Sequence, residues 1–470
     1  MDLLNSFVNN INEIIWSYIL IILLISLGLF FSIKTKFVQI QLFPEMIRLL
    51  TDSFGTKSTK ISSFQAFCIS TASRVGVGNI AGVAIAIING GPGAILWMWI
   101  IAIIGSATGF VESTLAQIYK IQDDNGNFRG GPAYYIKNAL NKKNLATFFA
   151  ILISITFGLI FNSVQANTIT LSTQTAFGFD RFSTGLILSF LTAIIIFGGI
   201  KRIAQVTEWL VPIMATLYIF VALFIITTNF SMLPFVFQQI FTTAFSSDAV
   251  LGGGLGAAMM AGIKRGLFSN EAGMGSVPNA AATADVSHPV KQGLIQALGV
   301  FVDTLLVCSS SAFIILLTTD YQSFNLTGIQ LVQASLLLHI GTFAPALLSI
   351  FVFLFAFSSI IGNYYYGESN IGFLSTNKFY LTLFRCAVVG MVLFGSIAKI
   401  SLVWDMADLF MGLMAITNLF SITLLSKYSF ICLKDYIDQK RAGIKEPIFN
   451  PEIIPNQQGI TVWQKNIDNQ

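Results

Sequence analysis

Residues 74–93 read RVGVGNIAGVAIAIINGGPG, between the apolar flanks FQAFCIS (64–70) and AILWMWIIAII (94–104). The length and flanks are those of a membrane span, yet glycines, an asparagine and an arginine interrupt it. In lipid a backbone N–H or C=O without a partner is expensive, so a span stays helical unless its freed groups find partners. Gly76 and Gly78 permit the chain to leave helical geometry and permit close approach of a ligand to the backbone. The half-helix that restarts has a positive N-terminus suited to a carboxylate, and the free carbonyls suit Na+ or an ammonium. The stretch therefore reads as a site for a small zwitterion together with a cation. The competing reading is a packing face of small residues, which GNIAGVA fits.

The composition agrees with a membrane setting. The 470 residues are 54% hydrophobic and 10% charged, with mean hydropathy +0.75. So few charges cannot cover a water-facing surface of this size. Apolar runs recur at 14–33, 62–89, 93–117, 146–170, 183–199, 208–228, 241–263, 292–318, 336–366, 379–398 and 402–426. We expect eleven helical spans, since the runs are too long for barrel strands. The run at 14–33 reads as a first span rather than a signal peptide, because no basic start or small-residue cleavage site accompanies it. With the N-terminus outside, 22 of the 26 Lys and Arg fall in inner segments, a strong positive-inside bias for a plasma-membrane protein. Residues 34–60 read as an interfacial amphipathic segment, and 427–470 as a polar cytoplasmic tail, partly ordered at best. The seventh run holds LGGGLGAAMMAGIKRG (251–266). It lies five spans after the glycine-rich second run, so the two cross in opposite directions. Interrupted spans in matching places point to an inverted-repeat transporter. The expected plan is all-α: one extra helix (14–33), a first repeat (62–228) and an inverted second repeat (241–426).

Other classes find little support. Cys68, Cys308, Cys386 and Cys432 lack metal-ligand spacing and read as small buried hydrophobes, and His288 and His339 lie far apart. Basic residues confined to loops between spans argue against a nucleic-acid partner. No nucleophile–base pair or P-loop suggests an enzyme, and no organic cofactor is expected. An uncoupled channel fits paired broken helices less well than alternating access does.

Several longer motifs then resemble one family. GGPGAILWMWIIAIIG (90–105) is similar to the signature of the alanine-or-glycine:cation symporters, with Leu96 where phenylalanine is usual. GVGNIAGVA (76–84), RGLFSNEAGMGSVPNAAATA (265–284) and YYYGE (364–368) also resemble that family, from about residue 15 to 430. The resemblance implies the leucine-transporter fold of the amino acid/polyamine/organocation superfamily, Na+ or H+ coupling, and small neutral amino acids as substrates, alanine and glycine first and glutamine as an alternative. It implies that Gly76, Val77, Gly78 and Asn79 hold the substrate carboxylate on backbone amides, with the Asn79 side chain beside a sodium site. It makes Gln165, near Asn162 and Ala166 on one helical face, a substrate-pocket candidate; the alternative is interhelical glue. Ser358 and Ser359, with the Val75 carbonyl, resemble a second sodium site. The alternative is hydroxyls that bond back to their own helix.

Gly253, Gly254 and Gly256 would offer carbonyls to an amino group, with Met259 or Met260 walling the side-chain pocket. Arg74 would face an inner water pathway and pair with Glu271 or Glu112, or form a purely structural ion pair. Lys57 or Lys60 with Glu368 would form an inner gate, unless they are solvated loop charges. Trp404, beside Asp405, is either an interfacial anchor or a cap over the pocket. Asn270 and Glu271 are expected to close span seven near the inner loop. No Asp or Glu is expected near the midplane of the broken spans, which favours Na+ over H+.

Overall fold

The structure, a computed structural model, describes residues 8, 10–54, 60–124, 126–245 and 256–463. Eight of its helices are long and apolar enough to cross a membrane, and a ninth span is the bent pair Ser63–Arg74 and Gly78–Gly90. Arg181–Ile196 and Ala257–Asn270 are shorter and occupy the two remaining expected positions. Among the described residues the only strands are a hairpin pairing Ile121–Gln122 with Phe128–Arg129.

The bent span begins where its sequence dictates. Ser62 Oγ accepts from the Gln65 backbone and the Gln65 side chain accepts from the Ser62 backbone, a capping box that starts the helix. The helix ends at Arg74, and Val75 leaves helical geometry at ψ 85°. A π turn, Gly78–Gly82, restarts the chain at an angle of 51°. Behind it, the long helix Ala94–Ile118 packs on Pro289–Phe301. A Cβ at Gly293 would lie 2.2 Å from Thr114 Oγ1 and 2.9 Å from the Phe110 carbonyl, so that contact requires a glycine. The extra first helix, Asn10–Lys34, lies on the last one, where buried Trp16 donates to the Asp408 carbonyl at 3.3 Å.

Several boundaries differ from the expectation. The run 336–366 divides into Gly328–Ile340 and Ala344–Leu374, because Gly341 adopts φ 81° and ends the first helix. The last helix, Ile400–Arg441, continues well past 426. Its polar end reads as tail in the sequence because helical turns at a membrane surface carry charge. The chain beyond it is docked: Phe449 N–H donates to the Ser287 carbonyl at 2.9 Å, and Trp463 Nε1 to the Gln117 carbonyl at 2.9 Å. Trp463 and Phe128 cover Lys120, whose Nζ lies 4.9 and 4.0 Å from their ring centres and donates to the Ala284 carbonyl at 2.9 Å. Cys386 is exposed, unlike the other three cysteines, on the outward side of Lys378–Ile397.

The described helix at the seventh position, Ala257–Asn270, runs past the expected end at 263. Of the expected break, the glycine run at 251–256, only Gly256 is among the described residues. Gly253 and Gly254 fall outside the described residues, and Gly256 is the cap residue that precedes Ala257–Asn270. Lys264 and Arg265 consequently stand at the same end of the bundle as Trp404 and Asp408, opposite the inner end at which the charge count placed them.

Candidate functional site

Among the described residues, the interruption of the second broken span is Glu271–Ser276. Glu271 at φ 59°, Gly273 at φ 90° and Gly275 at φ 82° carry the chain through three left-handed positions, and Pro278–Ala281 follows as a short helix. Left-handed backbone is what glycine supplies at little cost. The sequence did hold this signal: GMGSVP has the same glycine–x–glycine spacing as GVGN, but the denser GGGLG run nearby outweighs it.

The two broken spans meet at Gly78 and Ser269. A Cβ on Gly78 would lie 3.4 Å from the Ser269 Cα and 2.8 Å from Phe268 Cδ1. Here the N-terminal end of Gly78–Gly90, positive by its free N–H groups, faces the C-terminal end of Ala257–Asn270, negative by its free carbonyls. Two amides freed by the first break have side-chain partners. Gly76 N–H donates to Asn79 Oδ1 at 2.9 Å, and Val77 N–H to Gln165 Oε1 at 3.1 Å. Residues 76–79 and Gln165 thus form one cluster.

The other face of the break is lined with oxygen. Ser358 Oγ lies 3.5 Å from the Ala72 carbonyl, and Ser359 Oγ 3.5 Å from the Val75 carbonyl. Both hydroxyls also bond back to the Phe355 carbonyl, at 2.8 and 3.0 Å. Hard cations of this size class take oxygens at about 2.3–2.6 Å, which leaves neighbouring ligands roughly 3–3.5 Å apart. Because each hydroxyl has a carbonyl to receive its proton, its lone pairs are free to face the gap. Ala72 and Phe355 escaped the sequence reading because they contribute only backbone.

A second polar cluster contradicts the expectation that no acid lies near the break. Asn79 Nδ2 donates to Asp303 Oδ1 at 2.7 Å, and Ser269 Oγ to Asp303 Oδ2 at 2.7 Å. Asp303 lies in the π segment Val302–Cys308 and is fully buried. It is the only acid between 289 and 319, and an ionisable residue inside a span is by default a functional candidate. Glu271 also abuts the break, accepting from Ser73 Oγ at 2.8 Å. Arg74 forms no ion pair with Glu271 or Glu112 among the described residues. Its Nη1 donates to the Gln296 carbonyl at 3.1 Å, while Nε and Nη2 are buried with no hydrogen-bond partner among the described residues. Glu112 instead accepts from Gly273 N–H at 3.1 Å and Asn418 Nδ2 at 2.7 Å, holding the second break in shape.

Aromatic rings close one end of the cluster. Phe268 packs between Phe161 and Trp404, with ring centres 4.7 and 4.8 Å apart and planes tilted by 39° and 41°. Trp404 is buried against Phe268 rather than exposed at a surface. Arg265 lies 4.7 Å over its ring and pairs with Asp408 at 2.6 Å, and Lys264 meets the same carboxylate at 2.8 Å. Above this layer, Met260 lines a cavity of about 170 Å³ with Ile85, Asn89 and Lys264. The structure therefore does not bring Gly256 or Met260 to the Gly76–Asn79 cluster. At the opposite end, Glu368 Oε1 lies 3.6 Å from Arg385, and Lys60 pairs with Asp285 at 3.3 Å. The expected link between Glu368 and a lysine is absent for Lys60, and Lys57 lies outside the described residues.

Two broken spans meeting at their helix ends, with oxygens on one side and an ion-paired lid above, define a membrane transporter and not an enzyme. The chain belongs to the sodium:alanine symporter family, whose description it matches over residues 1–451. By family it is a sodium-coupled amino-acid symporter. It is 55% identical to the probable sodium/glutamine symporter GlnT of Bacillus subtilis (98% of this chain, 96% of that protein) and 51% to the amino-acid carrier protein AlsT of the same organism (98% of each). It is 38% identical to the sodium/alanine symporter AgcS of Methanococcus maripaludis (90% and 94%). Among solved structures it resembles MhsT in complex with L-phenylalanine, at TM-score 0.56 and 15% identity, covering 87% of this chain and 95% of that one. That likeness shows a shared fold, the leucine-transporter type.

Proposed function

We propose that the protein moves a small neutral amino acid, alanine or glycine, into the cell together with Na+ by alternating access. The observation that carries this reading is the meeting of opposite helix ends at Gly78 and Ser269. A zwitterion bridges them, its carboxylate on the amides of Gly76 and Val77 and its ammonium at the carbonyl end of Ala257–Asn270. Na+ is cargo, taken by the Ala72, Val75 and Phe355 carbonyls with the Ser358 and Ser359 hydroxyls. Asn79 and Asp303 supply oxygens for a cation beside the substrate. Trp404 with Arg265–Asp408 is the outer gate, and Glu368–Arg385 lies at the inner one. The charge distribution supports a plasma-membrane protein with its N-terminus outside and its tail in the cytoplasm. The rings of Phe161 and Phe268 support a small side chain. A glutamine-type substrate is the second reading, supported by greater identity to a relative named for glutamine than to one named for alanine.

The test is uptake of labelled alanine, glycine and glutamine into proteoliposomes. A Na+ gradient should drive uptake and collapse of the pH gradient should leave it intact. Uptake driven by a pH gradient in Na+-free buffer would overturn the coupling, and uptake of glutamine but not alanine would overturn the substrate.

A further inference from the structure

At the end of the first span, far from the transport site, four basic side chains surround a cavity of about 310 Å³. Lys34 and Lys36 come from the end of that span and the turn after it. Lys434 and Arg441 come from the polar end of the last helix, and Phe430 and Leu433 line the same cavity. The turn is sharp, with Lys36 at φ 55° and Phe37 at φ 57°.

Neighbouring cations are treated differently. Arg48 is paired with Glu45 and Asp52 at 2.8 and 2.7 Å, and Lys440 with Glu45 at 3.2 Å. Among the described residues Lys34, Lys36, Lys434 and Arg441 have no carboxylate in ion-pair contact, although Asp438 lies on the same cavity. The fold therefore neutralises the bases beside this cavity and leaves four bases against the single acid Asp438 on it, a net positive field.

The surroundings say what kind of anion matches it. Phe30, Ile33 and Phe37 are exposed on the same turn, Ile33 by 62%, and the half-buried ring of Phe430 lies 6.4 Å from Phe30. Exposed apolar residues at the end of a span face acyl chains, and lysine stems reach from there to headgroup depth. The interfacial helices Val38–Gln41 and Phe43–Asp52 lie beside them. A basic pocket with an apolar floor at this depth fits a ligand with a phosphate at one end and hydrocarbon at the other. A soluble phosphate would gain nothing from the floor.

We propose that the pocket among Lys34, Lys36, Lys434 and Arg441 binds the phosphate of an anionic phospholipid, with an acyl chain lying along Phe30 and Phe430. The test is retention of phosphatidylglycerol by the detergent-purified, full-length protein, counted by native mass spectrometry against phosphatidylcholine at equal dose. Wild type should retain phosphatidylglycerol preferentially. Lys36→Gln with Lys434→Gln should lower that retention on the order of tenfold or more. The exposed pair Lys142→Gln with Lys143→Gln should leave it unchanged, and Lys36→Arg with Lys434→Arg should keep it. Equal retention by the Gln variant overturns the proposal, as does equal loss in the Arg variant. Glycerol 3-phosphate displacing the lipid at matched concentration would overturn the lipid as ligand in favour of a soluble phosphate.

Discussion

Asn79 and Asp303 stand 2.7 Å apart across two helices that both lose regular geometry at that point. The asparagine amide spends its donor on the carboxylate and its oxygen on the Gly76 amide. One side chain thereby links the backbone of the first break to a buried acid. Asp303→Asn preserves volume and removes the charge. It should raise the Na+ concentration for half-maximal uptake about tenfold, equivalent to ~1.4 kcal/mol. An unchanged Na+ midpoint, read from a titration at fixed alanine, would take Asp303 out of the cation site.

Ser358→Ala with Ser359→Ala deletes two oxygens and little volume. The Na+ midpoint should rise, and because coupling between sites is reciprocal, apparent alanine affinity should recover as Na+ is increased. Alanine titrations at several Na+ levels check this. A defect that no Na+ concentration repairs would assign the serines to the substrate or to the fold.

Glycine replacements should grade by the atoms they meet. At Gly76 a Cβ would lie 2.2 Å from Ser359 Oγ and 2.9 Å from Gln165 Oε1, whereas at Gly78 it meets the edge of Phe268 at 2.8 Å. Gly76→Ala disturbs both the oxygen cluster and the amide cap, so it should impair Na+ and alanine binding together. Gly78→Ala should lower alanine affinity by roughly 1–3 kcal/mol, the usual range for overpacking, with the Na+ midpoint preserved. Isothermal titration with each ligand separates the two patterns.

Asp408 is a 2% exposed acid holding two cations. Asp408→Asn leaves Arg265 and Lys264 unpaired beneath the outer cavity, and one buried pair broken in this way typically costs about 3–5 kcal/mol. The lid over Trp404 should loosen. A cysteine at Phe268 should then react faster with a membrane-impermeant thiol reagent added outside. Equal labelling rates with Asp408 present and absent would show that the pair does not gate.

Burial under Phe128 and Trp463 lowers the Lys120 ammonium from 10.5 to about 7. Below pH 7 folded and unfolded chains both hold the proton, and the burial cost stands in full. Between about 7 and 10.5 only the unfolded chain holds it, so stability should rise with pH, by at most about 1.4 kcal/mol per unit. Lys120→Met should lack that rise. The difference in Tm between wild type and variant across pH 7 to 9 measures it.

Much of this architecture is visible in the residues before any coordinate is known. Apolar length marks the spans, and the glycines at 76 and 78 stand at the first break. The second break was hidden because glycine content reports conformational permission, not its use: GGGLG has more permission, whereas Glu271, Gly273 and Gly275 take the left-handed turns. Displacing that break moved Lys264 and Arg265 to the wrong end and so concealed their partner Asp408. Ala72 and Phe355 were illegible for another reason, since a carbonyl ligand leaves no mark on residue type. Asp303 is missed although it stands as a lone acid in an apolar run, since nothing in the sequence joins it to its partner 224 positions away.

In the binding mode proposed above, the bond from Val77 N–H to Gln165 Oε1 makes the protein its own stand-in for cargo. A carboxamide oxygen occupies a donor that an incoming carboxylate would use, so binding there is an exchange of acceptors, not the filling of a void. A full negative charge outcompetes a neutral amide at such a donor, since charge-assisted hydrogen bonds are roughly twice as strong. A molecule with an ammonium but no carboxylate brings nothing to trade. In that mode, selectivity for amino acids over the corresponding amines should follow from an internal competitor that is always present at fixed effective concentration.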